Sequence, residues 1–254
     1  MFSFFHRTPK INVDCFTYDK LTYDFTPIVK STKVYPDWWK ELPNYEAGLQ
    51  KREDGFYEKF DVQNLKNCYA FLEFFKKSIT IPNWTDFYIE TSYDYYKWYS
   101  AKTDDMFDAI EEHGKNQIGK GFINYHHLKL ISPWTISEKT NIQFSWVGFE
   151  WHLEDYDFKI LPGVINFKVN HATNVNIMVP KVKKEFLLPA GTPLVAIIPL
   201  TEKKVILKKH LISKDEYISL MKNPNRNYIN GWRTVEKLLK KQNKCPFGFG
   251  DNNE

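Results

Sequence analysis

The segment from Gly163 to Leu200 constrains this chain more than any other. It reads Gly-Val-Ile-Asn-Phe-Lys, then Asn-Val-Asn-Ile-Met-Val-Pro, then Leu-Leu-Pro-Ala-Gly-Thr-Pro-Leu-Val-Ala-Ile-Ile-Pro-Leu. β-branched residues dominate short runs bounded by Gly, Pro and Asn, which predicts consecutive strands of an all-β core. The last strand is entered through Pro189-Ala190-Gly191-Thr192-Pro193, where Gly supplies a positive φ and Pro fixes the next one. An uninterrupted apolar run, Leu194 to Ile198, follows that turn and reads as a buried strand.

The rest of the chain fits around that core. Candidate strands fall at 128–131, 142–151, 158–160, 164–169, 174–179, 186–188, 194–200 and 205–207, a short regular spacing typical of sandwiches and jelly rolls. Helices do not alternate with them, so a parallel α/β sheet is excluded. Period-two positions within a strand share a face, which predicts a core of Phe144, Trp146, Ile165, Ile177, Leu194, Ala196 and Ile198.

Before this core, residues 1–124 read as wrapping and edge strands, including Cys15 to Tyr18 and Leu21 to Phe25, with one helix over 64–77 and a hairpin. The helix rests on Leu65, Cys68, Phe71, Leu72 and Phe75 at three-and-four spacing, with Asn64 as its cap. A helical turn is expected at Pro36 to Leu42, where Trp38 and Trp39 would clamp the N-terminal segment to the body. The hairpin pairs 86–91 with 93–99, both alternating aromatic and polar residues. After the core at 125–208, residues 209–254 supply two helices, 214–221 and 231–242, and a glycine-rich tail. The fold class is mainly β, α+β overall, with an antiparallel jelly-roll, cupin-like or β-clip-like core in a single domain over 1–254.

Composition narrows the function classes. The cysteines Cys15, Cys68 and Cys245 are odd in number and in no CxxC spacing, so neither a disulfide framework nor a zinc site follows. No apolar run reaches the length of a membrane span, and Met1 to Arg7 lacks the order of a signal peptide, so synthesis in a host cytoplasm is expected, with no membrane partner. Residues 201–244 carry twelve Lys and Arg against four Asp and Glu, a basic region that includes Lys237 and Lys240. It offers a surface to an acidic partner or to nucleic acid, although no nucleic-acid motif accompanies it. P-loop, dinucleotide and nucleophile-elbow patterns are missing from the sequence, and no cofactor is implied.

Two resemblances emerge from particular residues. Asn67 to Leu72 followed by Ile81-Pro82-Asn83-Trp84-Thr85-Asp86, then Lys129 to Trp134, then Pro189 to Leu194 with Ile198-Pro199, resembles a family of uncharacterised β-rich proteins of tailed phages and bacteria. That likeness implies a viral or phage-derived origin, with a place in the virion as one expectation. Separately, Gly163-Val164-Ile165-Asn166 and Gly191-Thr192-Pro193-Leu194-Val195-Ala196 look like consecutive signature segments of trimeric dUTPases and dCTP deaminases. The resemblance implies a nucleotide site formed by Asn166, Gly191 and the tail glycines Gly248 and Gly250. Asn166 stands where the family has an acid, and an amide cannot accept a proton from water, so binding without hydrolysis is what it implies.

A third pattern, His152-Leu153-Glu154 with His210, matches the two-histidine, one-carboxylate iron set of oxygenases on a double-stranded β-helix. It requires His152 and Glu154 on one face of a strand. Finally, the aromatic cluster Tyr93, Tyr95, Tyr96, Trp98 and Tyr99 reads as cross-strand packing whose outward members meet a partner. Tyr95, Trp98, Lys237 and Lys240 are the candidate interaction residues. These observations favour a non-enzymatic viral structural or accessory protein acting through protein subunits, over a degenerate dUTPase-like nucleotide binder or a non-haem iron oxygenase.

Overall fold

The computed structural model describes residues 9–100, 109–114, 117 and 122–221. The second predicted C-terminal helix, at 231–242, lies outside these residues, as does the whole glycine-rich tail. The described strands form open sheets that are antiparallel at every junction but one, and four short α-helices decorate them. The expected β-rich α+β class is what the molecule has.

The exception to antiparallel pairing ties the two ends of the described chain together. Strand β1 (Lys10–Thr17) runs parallel to β17 (Lys204–Leu211) over its whole length, Lys10 opposite Lys204 through Thr17 opposite Leu211. On its other side β1 meets β10 (Thr135–Ser137), so it is a central strand and not the edge strand expected of this region. Its alternation explains the placement: Ile11, Val13, Cys15 and Thr17 are buried, and the residues between them face outward.

The next segment corrects a second expectation. Leu21 to Phe25 alternates like a strand but forms helix α1 (Lys20–Phe25), because Asp19 caps it, its Oδ1 accepting from the Leu21 N–H at 3.0 Å. Leu21 and Phe25 consequently stand in solvent. Strand β2 (Val29–Lys30) and helix α2 (Asp37–Glu41) follow, the latter in the expected place after Pro36. A two-stranded hairpin, β3 (Tyr45–Lys51) with β4 (Tyr57–Gln63), leads to the helix expected over 64–77. That helix is broken at Cys68, whose backbone is extended: a 3-10 turn at Leu65–Asn67, with Asn64 accepting from the Lys66 N–H at 2.9 Å, precedes α3 (Tyr69–Lys77).

A five-stranded sheet carries the centre of the molecule, in the order β13 (Gly163–Asn166), β11 (Gln143–Gly148), β16 (Pro193–Pro199), β5 (Ile79–Pro82), β2. A four-stranded sheet runs β12 (Lys159–Ile160), β14 (Val175–Pro180), β9 (Tyr125–Leu130), β8 (Ile110–Glu112), and a three-stranded one runs β15 (Lys184–Leu188), β6 (Phe87–Thr91), β7 (Tyr96–Ser100). Strands β13 to β16 are consecutive in sequence, yet no two of them pair with each other. Helix α4 (Lys214–Met221) closes the described chain, and its Tyr217 is buried.

Strand β16 is buried on both faces. Leu194, Val195 and Ile197 join the main core, which draws on the five-stranded, the four-stranded and both three-stranded sheets, whereas Ala196 turns to a smaller aromatic core under α3. There Tyr35 stacks on Trp39 at 4.2 Å and on Phe75 at 4.5 Å, while Trp38 and Trp151 meet Phe71 edge-on. The paired tryptophans thus clamp the N-terminal segment to the body as expected. Of the predicted core residues, Phe144, Trp146, Ile177, Leu194 and Ala196 are buried, while Ile165 and Ile198 are half-buried.

Asn83 locks the turn into β16. Its Nδ2 faces the carbonyls of Thr85, Leu188 and Pro189 at 2.5, 2.8 and 2.9 Å. Its backbone N–H donates to Thr192 O at 2.7 Å, and its carbonyl accepts from the Gly191 N–H at 2.8 Å. Gly191 has φ +86°, the left-handed conformation expected of the glycine in this turn.

Candidate functional site

The three-stranded sheet β15–β6–β7 separates the aromatic cluster into two faces, because side chains alternate along each strand. Phe186, Ile89 and Trp98 lie opposite one another across the strands on the inner face, packed against the main core. Trp98 meets Phe87 edge-on at 6.5 Å. The tryptophan expected to be an interaction residue therefore serves mainly in packing.

The outward face carries two rows. Leu187, Tyr88 and Tyr99 form one, and Glu185, Glu90 and Lys97 the next. Tyr99 is 60% exposed and Leu187 53%, so the row presents apolar surface across all three strands. Tyr88 and Tyr99 lie 6.1 Å apart between ring centres. Tyr93 and Tyr95, at the hairpin turn, extend the surface beyond the end of the strands.

Hydrogen bonds hold the tyrosines in place. Tyr88 donates its phenol to Glu185, and this bond pushes the phenol's pKa up to about 12. Tyr95 donates to Glu90 Oε1 at 2.7 Å, which likewise raises its pKa, and Lys97 sits over the Tyr95 ring at 5.0 Å. The rings are thereby oriented by Glu185 and Glu90, which reduces the entropy lost when a partner covers them. Tyr95 is an expected member of this surface, and Tyr88, Leu187, Glu90 and Glu185 are additions. Their roles come from the register between β6 and β15, strands about a hundred residues apart in the chain, a pairing that no local pattern encodes. Lys237 and Lys240 lie outside the described residues.

The iron pattern is dispersed. β11 ends at Gly148, where a Cβ would collide with Glu150 Oε1, and the chain turns into a 3-10 helix at Glu150–His152. His152 and Glu154 therefore do not share a strand face. His152 Nε2 bonds to Val34 O at 2.7 Å and its ring stacks on Phe149, while Glu154 is exposed. His210, on β17, pairs with Asp14 at 2.8 Å and stacks on Phe16. Among the described residues no three His, Cys, Asp or Glu side chains converge as a metal site.

The nucleotide pattern is also split within one chain. Asn166 pairs with Gln143 at one end of β11, whereas Gly191 precedes the part of β16 that pairs with Gly148 at the other end. At about 3.4 Å per residue, the length of β11 keeps them about 17 Å apart. The Asn166 side chain is occupied locally, donating to Asn141 Oδ1 at 2.9 Å and accepting from the Lys168 N–H at 3.0 Å. Gly248 and Gly250 lie outside the described residues.

Among the described residues no helix is long and apolar enough to cross a membrane. No protein-family model, no curated protein and no solved structure matches the chain.

Proposed function

We propose that this is a non-enzymatic viral protein, structural or accessory, that works by protein-protein contact through the outward face of the β15–β6–β7 sheet. The observation that carries the proposal is the row Leu187, Tyr88 and Tyr99, in which Leu187 and Tyr99 are exposed and the half-buried Tyr88 is braced by Glu185. Exposed tyrosines held by hydrogen bonds supply large contact area at little conformational cost, and aromatic residues of this kind dominate interface cores. The acids beside the row select a protein subunit that brings positive charge. Residues 201–244 of another copy, with twelve basic and four acidic side chains, supply such charge, in a head-to-tail arrangement. The phage resemblance in the loop and turn segments supplies the viral setting.

Mass spectrometry of purified virus particles tests the setting, and sedimentation velocity tests the contact. The structural version requires the protein at a fixed copy number in particles; its absence there leaves only an accessory role in the infected cell. Tyr99→Lys combined with Leu187→Lys is expected to weaken association at least tenfold while the fold is retained. A doubly substituted protein that associates like the wild type refutes the proposed face.

A further inference from the structure

Two stacked histidines hold the end of an edge strand. His113 and His127 sit side by side where the chain leaves β8 and passes β9, the His113 N–H donating to His127 O at 2.9 Å. Their rings lie face to face at 4.5 Å with 27° between planes. His113 Nδ1 and both ring nitrogens of His127 are shielded from solvent and have no hydrogen-bond partner. The other described histidines each direct a ring nitrogen at an oxygen acceptor: Ser92 O for His126, Val34 O for His152, Ile136 O for His171 and Asp14 for His210.

A neutral imidazole in such a place costs only unmade hydrogen bonds, whereas an imidazolium must bring a charge and a further N–H donor into a site without an acceptor. A second proton is opposed by the first, because two stacked imidazolium rings repel. Water is the acceptor that relieves both, and it reaches these nitrogens only when the rings part. Burial lowers the pKa of both histidines, and the neighbouring base acts in the same direction for each: Lys129 beside His113, and His113 beside His127.

The surrounding charges do not supply the missing acceptor. On this face of the ladder Glu111 of β8 favours a proton on His113, but its carboxylate is committed to Lys129 of β9, and Tyr125 completes that side of β9. β14 contributes Asn176 and Met178, neither of which titrates, and β12 places Lys159 opposite Met178. Glu112 and His126 are offset by one residue and belong to the opposite face. There His126 points Nδ1 at Glu112 Oε1 at 3.5 Å and Nε2 at Ser92 O at 2.7 Å, so a proton on this ring finds acceptors and does not loosen the junction.

We propose that the His113–His127 stack is an acid-sensitive latch: protonation parts the rings and releases β8 from β9. The strand is suited to this role, being an edge strand of three residues hydrogen-bonded in its sheet to β9 alone. Two backbone bonds bracket the junction, from the His113 N–H to His127 O and from the Ile131 N–H to Ala109 O, both at 2.9 Å. Release bares the outer edge of β9, whose backbone groups become available to another strand. The latch is separate from the contact face on the β15–β6–β7 sheet.

Hydrogen exchange of the full-length protein, read residue by residue by NMR at pH 7.5 and 5.5 and corrected for the intrinsic rate at each pH, tests the latch. At pH 5.5 the amides of His113 and Ile131 are expected to lose about tenfold or more in protection relative to those of β11 and β16. His113→Phe combined with His127→Phe keeps two rings that can stack but nothing that titrates, so the relative loss in that variant should stay below about twofold. The wild-type comparison stands even where the variant fails to fold. Equal protection at the two pH values, a loss shared evenly with β11 and β16, or a loss that persists in the doubly substituted protein overturns the proposal.

Discussion

Replacing Asn83 tests how the turn into β16 is held. The side chain is fully buried, and its amide serves the carbonyls of Thr85, Leu188 and Pro189. Asn83→Ala removes both N–H donors, at about 1 kcal/mol net for each hydrogen bond. At least one carbonyl then remains dry and unpaired, adding about 1 to 2 kcal/mol, so the expected loss is about 3 kcal/mol. Asn83→Asp keeps the shape but points a carboxylate at carbonyl oxygens, and its loss at pH 7 should be larger, about 4 kcal/mol or more. The aspartate's pKa is raised by folding. Its deficit is therefore full above the folded-state pKa and shrinks as the pH falls through that value, because the protonated acid can donate again. Urea denaturation followed by tryptophan fluorescence, with the slope m compared across variants, measures both losses. An alanine variant within 0.5 kcal/mol of wild type, or an aspartate variant whose deficit ignores pH, would falsify this reading of the turn.

Three further outcomes follow from burial. Trp146→Ala should cost about 3 to 5 kcal/mol, since Trp146 is only 7% exposed in the middle of β11; a much smaller loss in denaturation would put that ring outside the core. Burial, reinforced by Asp14, pushes the Cys15 thiol far above its ordinary pKa, so alkylation of the native protein mapped by mass spectrometry should spare Cys15 and label the half-buried Cys68 ahead of it. Burial also lowers the pKa of His113, His127 and His152, so the unfolded chain takes up protons before the folded one does. Stability is then full above about pH 6.5 and declines as the pH drops below it, and a flat stability between pH 7.5 and 5.5 contradicts the burial of these rings.

What was legible in the sequence was local. The turn at Pro189 to Pro193, the buried run after it, the 87–100 hairpin and the helix at 214–221 all carry their signals within a few residues, and all are found. Pairing was not legible. β13 to β16 read as consecutive strands of one core but are dealt out to three different sheets, and β1 finds its parallel partner β17 nearly two hundred residues away. Leu21 to Phe25 shows how a single polar side chain decides between periods: the alternation suits a strand, but the Asp19 cap closes a helical turn first. The site was half visible for the same reason. Alternation marks some hairpin tyrosines as outward, yet only the β6–β15 register assigns Tyr88 and Leu187 to one row, and the β6–β7 register sets Trp98 opposite the buried Ile89. His152 and Glu154 misled because β11 stops at Gly148 and the chain turns into a 3-10 helix at Glu150–His152, which breaks the strand alternation.

Contact through the outward face of the β15–β6–β7 sheet is tested most directly by photo-crosslinking from that face. A photoreactive phenylalanine analogue is placed at Tyr99 or, as a control, at Phe25, which is 78% exposed on α1. Both variants are irradiated in the cells that produce them, and the adducts are identified by mass. Adducts of discrete mass from position 99, joined to a basic protein surface and missing from position 25, are the expected result. No adduct from position 99, or the same adducts from both positions, contradicts the proposed contact face.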